Sequence, residues 1–134
     1  MAVGLNSSLR NARGQKIIDA LDAGAGAGKI NFYSGTRPAT GGLVTTLLAT
    51  CVLSDPSATV TNGIITFSPI SDDVSADADG IITWARFVDS NDLFVMDVSC
   101  GIAGSGADII FNTTQTKVGG AVQIISAVLT EESA

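Results

Sequence analysis

The sequence contains no histidine, and that one absence removes the commonest general base, the Ser-His-Asp arrangement and most zinc sites. Aromatic residues make up only 5% of the 134, so small aliphatic side chains have to build most of the core. Charged residues reach 15%, below a usual share of about 25%. Basic residues never cluster with interleaved aromatics, which leaves no nucleic-acid footprint. No run is long and apolar enough to span a bilayer, and the opening MAVGLNSSLRNARGQ lacks the apolar segment of a signal peptide. The protein is therefore expected to remain in the cytoplasm where it is made, away from any membrane. There Cys51 and Cys100 read as reduced, buried small residues. A disulfide between them is geometrically possible but disfavoured by compartment, and two lone cysteines make no metal site.

What is present is apolar and turn-rich. Hydrophobic residues are 46%, mean hydropathy is +0.40, and fifteen glycines point to many turns. The length suits one domain, which buries roughly two-thirds of its unfolded surface. Positive hydropathy with so few charges has two explanations. Neighbouring subunits cover part of the surface, or a compact sandwich carries Ser and Thr on its outer face. The net charge of −6 is unevenly placed. Residues 1–40 hold Arg10, Arg13, Lys16, Lys29 and Arg37 against Asp19 and Asp22, while the remainder holds Arg86 and Lys117 against eleven acids. A basic front of this kind suits an acidic partner or the acidic body of a sister subunit.

Asn6, Ser7 and Ser8 offer N-cap oxygens, and Leu9, Ala12, Ile17, Ala20 and Leu21 recur at helical spacing. One amphipathic helix is expected from about Ser8 to Asp22, closed by Ala23-Gly24. Gly14 is its weak point, at about 1 kcal/mol in a helix interior. Strands are expected at Lys29–Ser34, Thr45–Leu53, Ala58–Thr61, Ile64–Ser68, Ile81–Val88, Leu93–Ser99, Asp108–Phe111 and Ala121–Thr130. Thr45–Leu53 is continuous enough for a strand buried on both sides. Asn62-Gly63 predicts a type I′ hairpin, Gly35-Thr36-Arg37-Pro38 a turn, and Cys100–Gly106 a loop. Short strands with tight turns predict a mainly β chain: an antiparallel β-sandwich or jelly-roll-like domain with one N-terminal helix. Residues 1–28 would form the arm, helix and glycine connector. Residues 29–134 would form the sandwich as a single folding unit, with a frayed tail at Glu131–Ala134.

The candidates for chemistry are few. Gly24-Ala25-Gly26-Ala27-Gly28-Lys29 resembles a phosphate loop, but Ile30 stands where Ser or Thr is needed. The order helix, glycines, strand is also the reverse of a phosphate loop. In the acidic stretch Ser71–Gly80, the closing glutamate of a calcium loop would fall at Arg86, a cation. A solvated acidic loop is favoured over an irregular calcium site at residues 72–79. Asp89 and Asp92 sit at a hairpin tip, where such residues bond their own backbone. No aromatic-lined carboxylate pair suggests glycoside hydrolysis. Strand alternation places Ile82, Trp84, Arg86 and Val88 on one face, with Ile81, Thr83, Ala85 and Phe87 on the other. Arg86 must then stack on Trp84, pair with an acid such as Asp97, or reach a partner subunit.

Three stretches carry a resemblance. SSLRNARGQKIIDALDAGAGAGKINFYSGTRP, ITWARFVDSNDLFVMDVS and DIIFNTTQTKVGGAVQIISAVLT are similar to small virion proteins of tailed bacteriophages. Members with an assigned role are head decoration or cement proteins. The likeness runs from about Ser8 to Thr130, and its motifs are structural: a glycine connector, a Tyr-Ser-Gly turn and a Trp-Ala-Arg-Phe strand. Where the family carries glycine at the hairpin tip and after the following Asp, this chain has Asp92 and Val98. The resemblance implies a β-sandwich without enzymatic activity or cofactor, oligomeric as a dimer or trimer. It would sit on the capsid surface, bridging subunits of the major capsid protein and touching no nucleic acid directly. Arg10, Arg13, Lys16, Arg37, Trp84 and Arg86 are the expected capsid or subunit contacts. The alternatives are a neck, tail or baseplate component, or a carbohydrate-binding module on the virion.

Overall fold

The computed structural model describes residues 4–73, 76–122, 124 and 126–130. Asn6 opens the one helix, α1 (Ser7–Leu21), by accepting a hydrogen bond from the Leu9 N–H at 2.7 Å. Ile18 and Leu21 on its inner face are buried, and so is Gly14. A Cβ at Gly14 would lie 2.8 Å from Val60 Cγ2 and 3.3 Å from Ile65 Cγ1. The residue that weakens the isolated helix is thus the one that lets the helix lie flat on a sheet.

Ten strands follow among the described residues: β1 (Lys29–Tyr33), β2 (Leu47–Val52), β3 (Ala58–Thr61), β4 (Ile64–Phe67), β5 (Gly80–Ile81), β6 (Trp84–Val88), β7 (Phe94–Ile102), β8 (Ile109–Phe111), β9 (Gln115–Thr116) and β10 (Ser126–Thr130). Eight of them hydrogen-bond in the order β2-β1-β6-β7-β8-β10-β4-β3, and β5 pairs with β9 separately. The β3–β4 hairpin turns through Asn62 and Gly63, both at positive φ (52° and 75°), as a type I′ turn requires. The fold is mainly β with one helix.

Ring contacts show that the large sheet curls. Strands in a flat sheet are spaced at about 4.8 Å, so β4 would stand about 19 Å from β6, four steps away. Phe67 of β4 instead stacks on Phe87 of β6 with ring centroids 5.3 Å apart. Phe32 of β1 meets Phe111 of β8 edge to face, also at 5.3 Å. These rings form the centre of a core that also takes in Leu21, Ile30, Leu48, Cys51, Ile82 and Ile109.

Several expected elements are redrawn. The strand anticipated at Ile81–Val88 is broken: Ile81 pairs with Gln115, the Ile82 N–H bonds the Thr114 carbonyl, and β6 begins only at Trp84. The bend places Ile82 in the core with Ala85 and Phe87, not on the face with Trp84 and Arg86. Cys100–Ile102, expected as loop, continue β7 because their backbone pairs with β8. That pairing is parallel, the one exception to the antiparallel expectation among the described ladders. Its connection is far shorter than a usual crossover because only three residues overlap, and the Asp108 carboxylate fastens the return by accepting from the Ser99 N–H and Oγ. β2 is not buried on both sides, since Leu47 and Val52 at its ends are exposed. The long final strand shortens to Ser126–Thr130, with Val122 making an isolated bridge to Asp73. The tail Glu131–Ala134 lies outside the described residues.

Helix propensity alone says that Gly14→Ala should stabilise by about 1 kcal/mol. The close approach to Val60 and Ile65 reverses the sign, because overpacking of this kind costs about 1–3 kcal/mol. Urea unfolding should show Gly14→Ala less stable than the parent, and an increase in stability would contradict the packing described.

Candidate functional site

The outer face of β1, β6 and β7 carries a ladder of polar groups: Asn31 lies opposite Arg86, and Arg86 opposite Asp97. Arg86 Nε donates to Asp97 Oδ1 at 2.8 Å and Arg86 Nη2 to Asp97 Oδ2 at 3.1 Å, a two-pronged ion pair. Both side chains are shielded, with 11% of the arginine and 2% of the aspartate exposed. The Asp97 carboxylate holds the Arg86 pKa above its ordinary value, and this outweighs the opposing effect of burial. The guanidinium carbon also lies 5.5 Å from the centre of the Trp84 ring and 5.0 Å from that of Phe94.

The cover comes from residues 35–46, the connection between β1 and β2. Arg86 Nη2 donates to the Gly42 carbonyl at 2.9 Å, and the Gly41 N–H donates to Asp97 Oδ2 at 3.2 Å. Arg37 Nη1 reaches the Asp97 carbonyl at 3.4 Å, and Trp84 Nε1 donates to Thr45 Oγ1 at 3.0 Å. Thr45 Oγ1 in turn donates to the Ser34 carbonyl. Trp84, stacked on Tyr33 with centroids 4.5 Å apart, is left only 1% exposed. This strap is a loop fastened by polar bonds at four points. Its tip presents Leu43, which is 92% exposed, beside Val44, with Leu93 and Phe94 also exposed.

The expected contact residues therefore divide. Arg86 makes the internal pair with Asp97 that was one of its three readings, and it also lies over the Trp84 ring. Under the strap Trp84 is 1% exposed and the Arg86 side chain 11%. Arg37 is exposed on the strap. On α1, Arg13 and Lys16 are exposed, whereas the Arg10 guanidinium sits against the β3–β4 turn, 2.7 Å from where a Cβ on Gly63 would stand. The three helix cations and the Trp84–Arg86 pair are held by different elements. Nothing in the sequence marked the strap, where only Gly35-Thr36-Arg37-Pro38 was expected as a turn; Asp97 was the acid that strand alternation offered to Arg86.

In the acidic stretch 72–79, expected as a solvated loop, Asp72, Asp77 and Asp79 are exposed, and described backbone groups on either side are also tied to the sheet. The Ser71 N–H donates to the Val52 carbonyl at 2.9 Å, and the Asp77 N–H to that of Leu48 at 2.8 Å. Asp73 Oδ2 accepts from the Thr50 N–H at 2.9 Å, while the Asp73 backbone pairs with Val122. The stretch covers the free edge of β2, whose unpaired backbone groups would otherwise invite another strand. Asp79 accepts from the Val118 N–H at 2.7 Å. Among the described residues, no three His, Cys, Asp or Glu side chains converge as metal ligands. Asp89 serves its own turn, accepting from the N–H groups of Asn91 (2.8 Å) and Leu93 (3.0 Å). Asp92 adopts a left-handed φ of 64° at the tip and pairs with Lys29 at 2.9 Å, an exposed contact that contributes little.

No family model, curated protein or solved structure matches the chain. No helix among the described residues is long and apolar enough to cross a membrane.

Cys51 and Cys100 are free thiols on β2 and β7. Burial pushes Cys51 up to about 11 and Cys100 up to about 12 from an ordinary value of 9.0. Above pH 9 the unfolded chain releases thiol protons that the folded chain keeps. Stability should then fall with rising pH, by up to about 1.4 kcal/mol per pH unit for each thiol, until the folded-state values are reached. Denaturation followed between pH 8 and 10.5 should show this fall, and Cys51→Ala should lessen its slope. Asp97→Ala, which strands the buried Arg86, should cost about 3–5 kcal/mol. The double change Arg86→Leu with Asp97→Leu should cost less than that single one in the same urea titrations. Equal or additive losses would mean that the pair is not coupled as its geometry requires.

Proposed function

We propose that this chain is a non-enzymatic structural protein of a tailed-phage virion, one that decorates the capsid surface and bridges subunits of the major capsid protein. Its curled sheet serves as the β-sandwich of that role. The observation that carries the reading is the use of its surface. Eleven large apolar side chains are exposed among the described residues, on a chain with only 15% charged residues. Such a surface fits a protein that spends its working life against neighbours. Meanwhile the shielded Arg86–Asp97 pair and the edge-capping Asp73 brace the fold. The phage resemblance from Ser8 to Thr130 supplies the setting, with synthesis in the host cytoplasm before assembly.

The carbohydrate-module alternative needs aromatic faces open on a cleft. Tyr33 and Trp84 are stacked on each other and buried, which weighs against it. A neck, tail or baseplate position shares the same surface logic and differs in copy number.

On this reading Arg13 and Lys16 make the electrostatic part of the capsid contact. Arg13→Glu with Lys16→Glu should lower occupancy on purified capsids at physiological salt while the free protein still unfolds in one cooperative transition. Full occupancy by the reversed variant would remove the helix from the interface. Few copies per particle, located at the tail, would transfer the role to that structure.

A further inference from the structure

The β3–β4 turn joins a reactive dipeptide to the helix that covers it. An Asn-Gly pair is prone to attack by the glycine nitrogen on the asparagine side chain, because glycine has no side chain to shield its amide. Asn62 is exposed, so its carboxamide is open to water. Gly63 is buried, and α1 lies over it. Its N–H donates to Asn11 Oδ1 at 2.8 Å, and the Arg10 guanidinium packs alongside.

Turn geometry decides whether the attack can occur. At the positive φ of Asn62 (52°), Cβ lies close to the residue's own carbonyl oxygen. The Gly63 nitrogen, on the other side of the carbonyl carbon, then points away from the side chain it would have to reach. Turning the Asn62–Gly63 peptide over exchanges oxygen and nitrogen, and brings the nitrogen beside Cβ and within reach of Cγ. That rotation converts a type I′ turn into type II′, which also keeps a positive φ at its first central residue. Both types suit a two-residue hairpin, so the flanking strands do not oppose the change. Gly63 lies outside the ladder, which closes at Thr61 and Ile64, and the contact that the rotation breaks is the bond to Asn11.

We propose that Asn62 is a self-modification site gated by α1: when Asn11 lets go, the peptide turns over and the Gly63 nitrogen closes on Asn62 Cγ. The nitrogen gives up its proton to solvent, a C–N bond forms, and the side-chain nitrogen leaves as ammonia, giving a cyclic imide. Water then opens the ring at either carbonyl, leaving aspartate or an isoaspartyl linkage at position 62. Nothing is oxidised or reduced. Each product adds a negative charge at the turn where the Arg10 guanidinium lies, and the isoaspartyl form threads the backbone through Cβ, lengthening the turn beneath α1. This goes beyond the decoration reading and needs no capsid.

Incubation of the full chain at mildly alkaline pH tests it, followed by peptide mapping with mass spectrometry that separates aspartyl from isoaspartyl products. Conversion at Asn62 should be slower in the folded parent than in the urea-unfolded chain. Asn11→Ala keeps a good helix former but loses the acceptor. It should raise the folded-state rate several-fold, up to about tenfold, as the loss of one hydrogen bond allows. Asn11→Asp keeps an acceptor and should hold the rate at or below the parent's. Should Asn11→Ala lose its fold by circular dichroism, Asn11→Met replaces it. Because a turning peptide exposes little surface, urea below the unfolding transition should leave the Asn11→Ala rate unchanged. A folded parent that converts as fast as the unfolded chain, an Asn11→Ala rate equal to the parent's, an Asn11→Asp rate as fast as that of Asn11→Ala, or a steep rise with sub-denaturing urea would each overturn the proposal. Capsid occupancy, measured separately, decides the decoration reading whatever the outcome here.

Discussion

A buried charge pair sets the terms for much of this structure. Arg86 and Asp97 face each other across β6 and β7 on the side of the sheet turned away from the aromatic core. Taking both charges out of water is expensive, and their mutual attraction offsets that only when every remaining polar atom finds a partner. The strap supplies those partners: the Gly42 carbonyl for the guanidinium and the Gly41 N–H for the carboxylate. Trp84 gains the same cover and ties its indole N–H to Thr45. The outer face of a half-sheet thus becomes a second, polar interior.

The other constraint is closure. A sheet of eight strands with a short helix cannot bury its apolar face unless it curls, and Phe67–Phe87 and Phe32–Phe111 mark where opposite parts meet. The β2 edge takes backbone bonds from Ser71 and Asp77 and a carboxylate bond from Asp73, whose own backbone pairs with Val122, instead of another strand. Negative charge there has a structural use, since carboxylates on a sheet edge satisfy its amides and repel a second edge.

Local chemistry was legible in the sequence wherever it was decided locally. A cap within Asn6-Ser7-Ser8, Asn62-Gly63 as a type I′ turn, Asp89 bonding its own turn, and the mainly β composition with one helix follow from neighbouring residues alone. Alternation also made Asp97 a natural partner for Arg86. What escaped was decided at a distance. Nothing near Ile82-Thr83 announces a break, because the break exists to let Ile81 pair with Gln115. Cys100–Ile102 look like a loop until the return through Asp108 gives them a parallel partner. Gly14 reads as a weak helix residue until Val60 and Ile65 come to rest against it. The strap is the sharpest case, for its glycines say "turn" and only the charge beneath says where the turn must lie.

Surface loops usually tolerate insertions and deletions, since their contacts are few and solvent is indifferent to their length. The stretch from Gly35 to Thr46 has lost that latitude. Its carbonyl at Gly42 and amide at Gly41 are matched to fixed atoms below, so one residue more or fewer would shift both out of register and bare a charge in a dry place. In chains descended from the same ancestor, this connection should keep its length as strictly as a core strand does, even where its outward side chains drift freely.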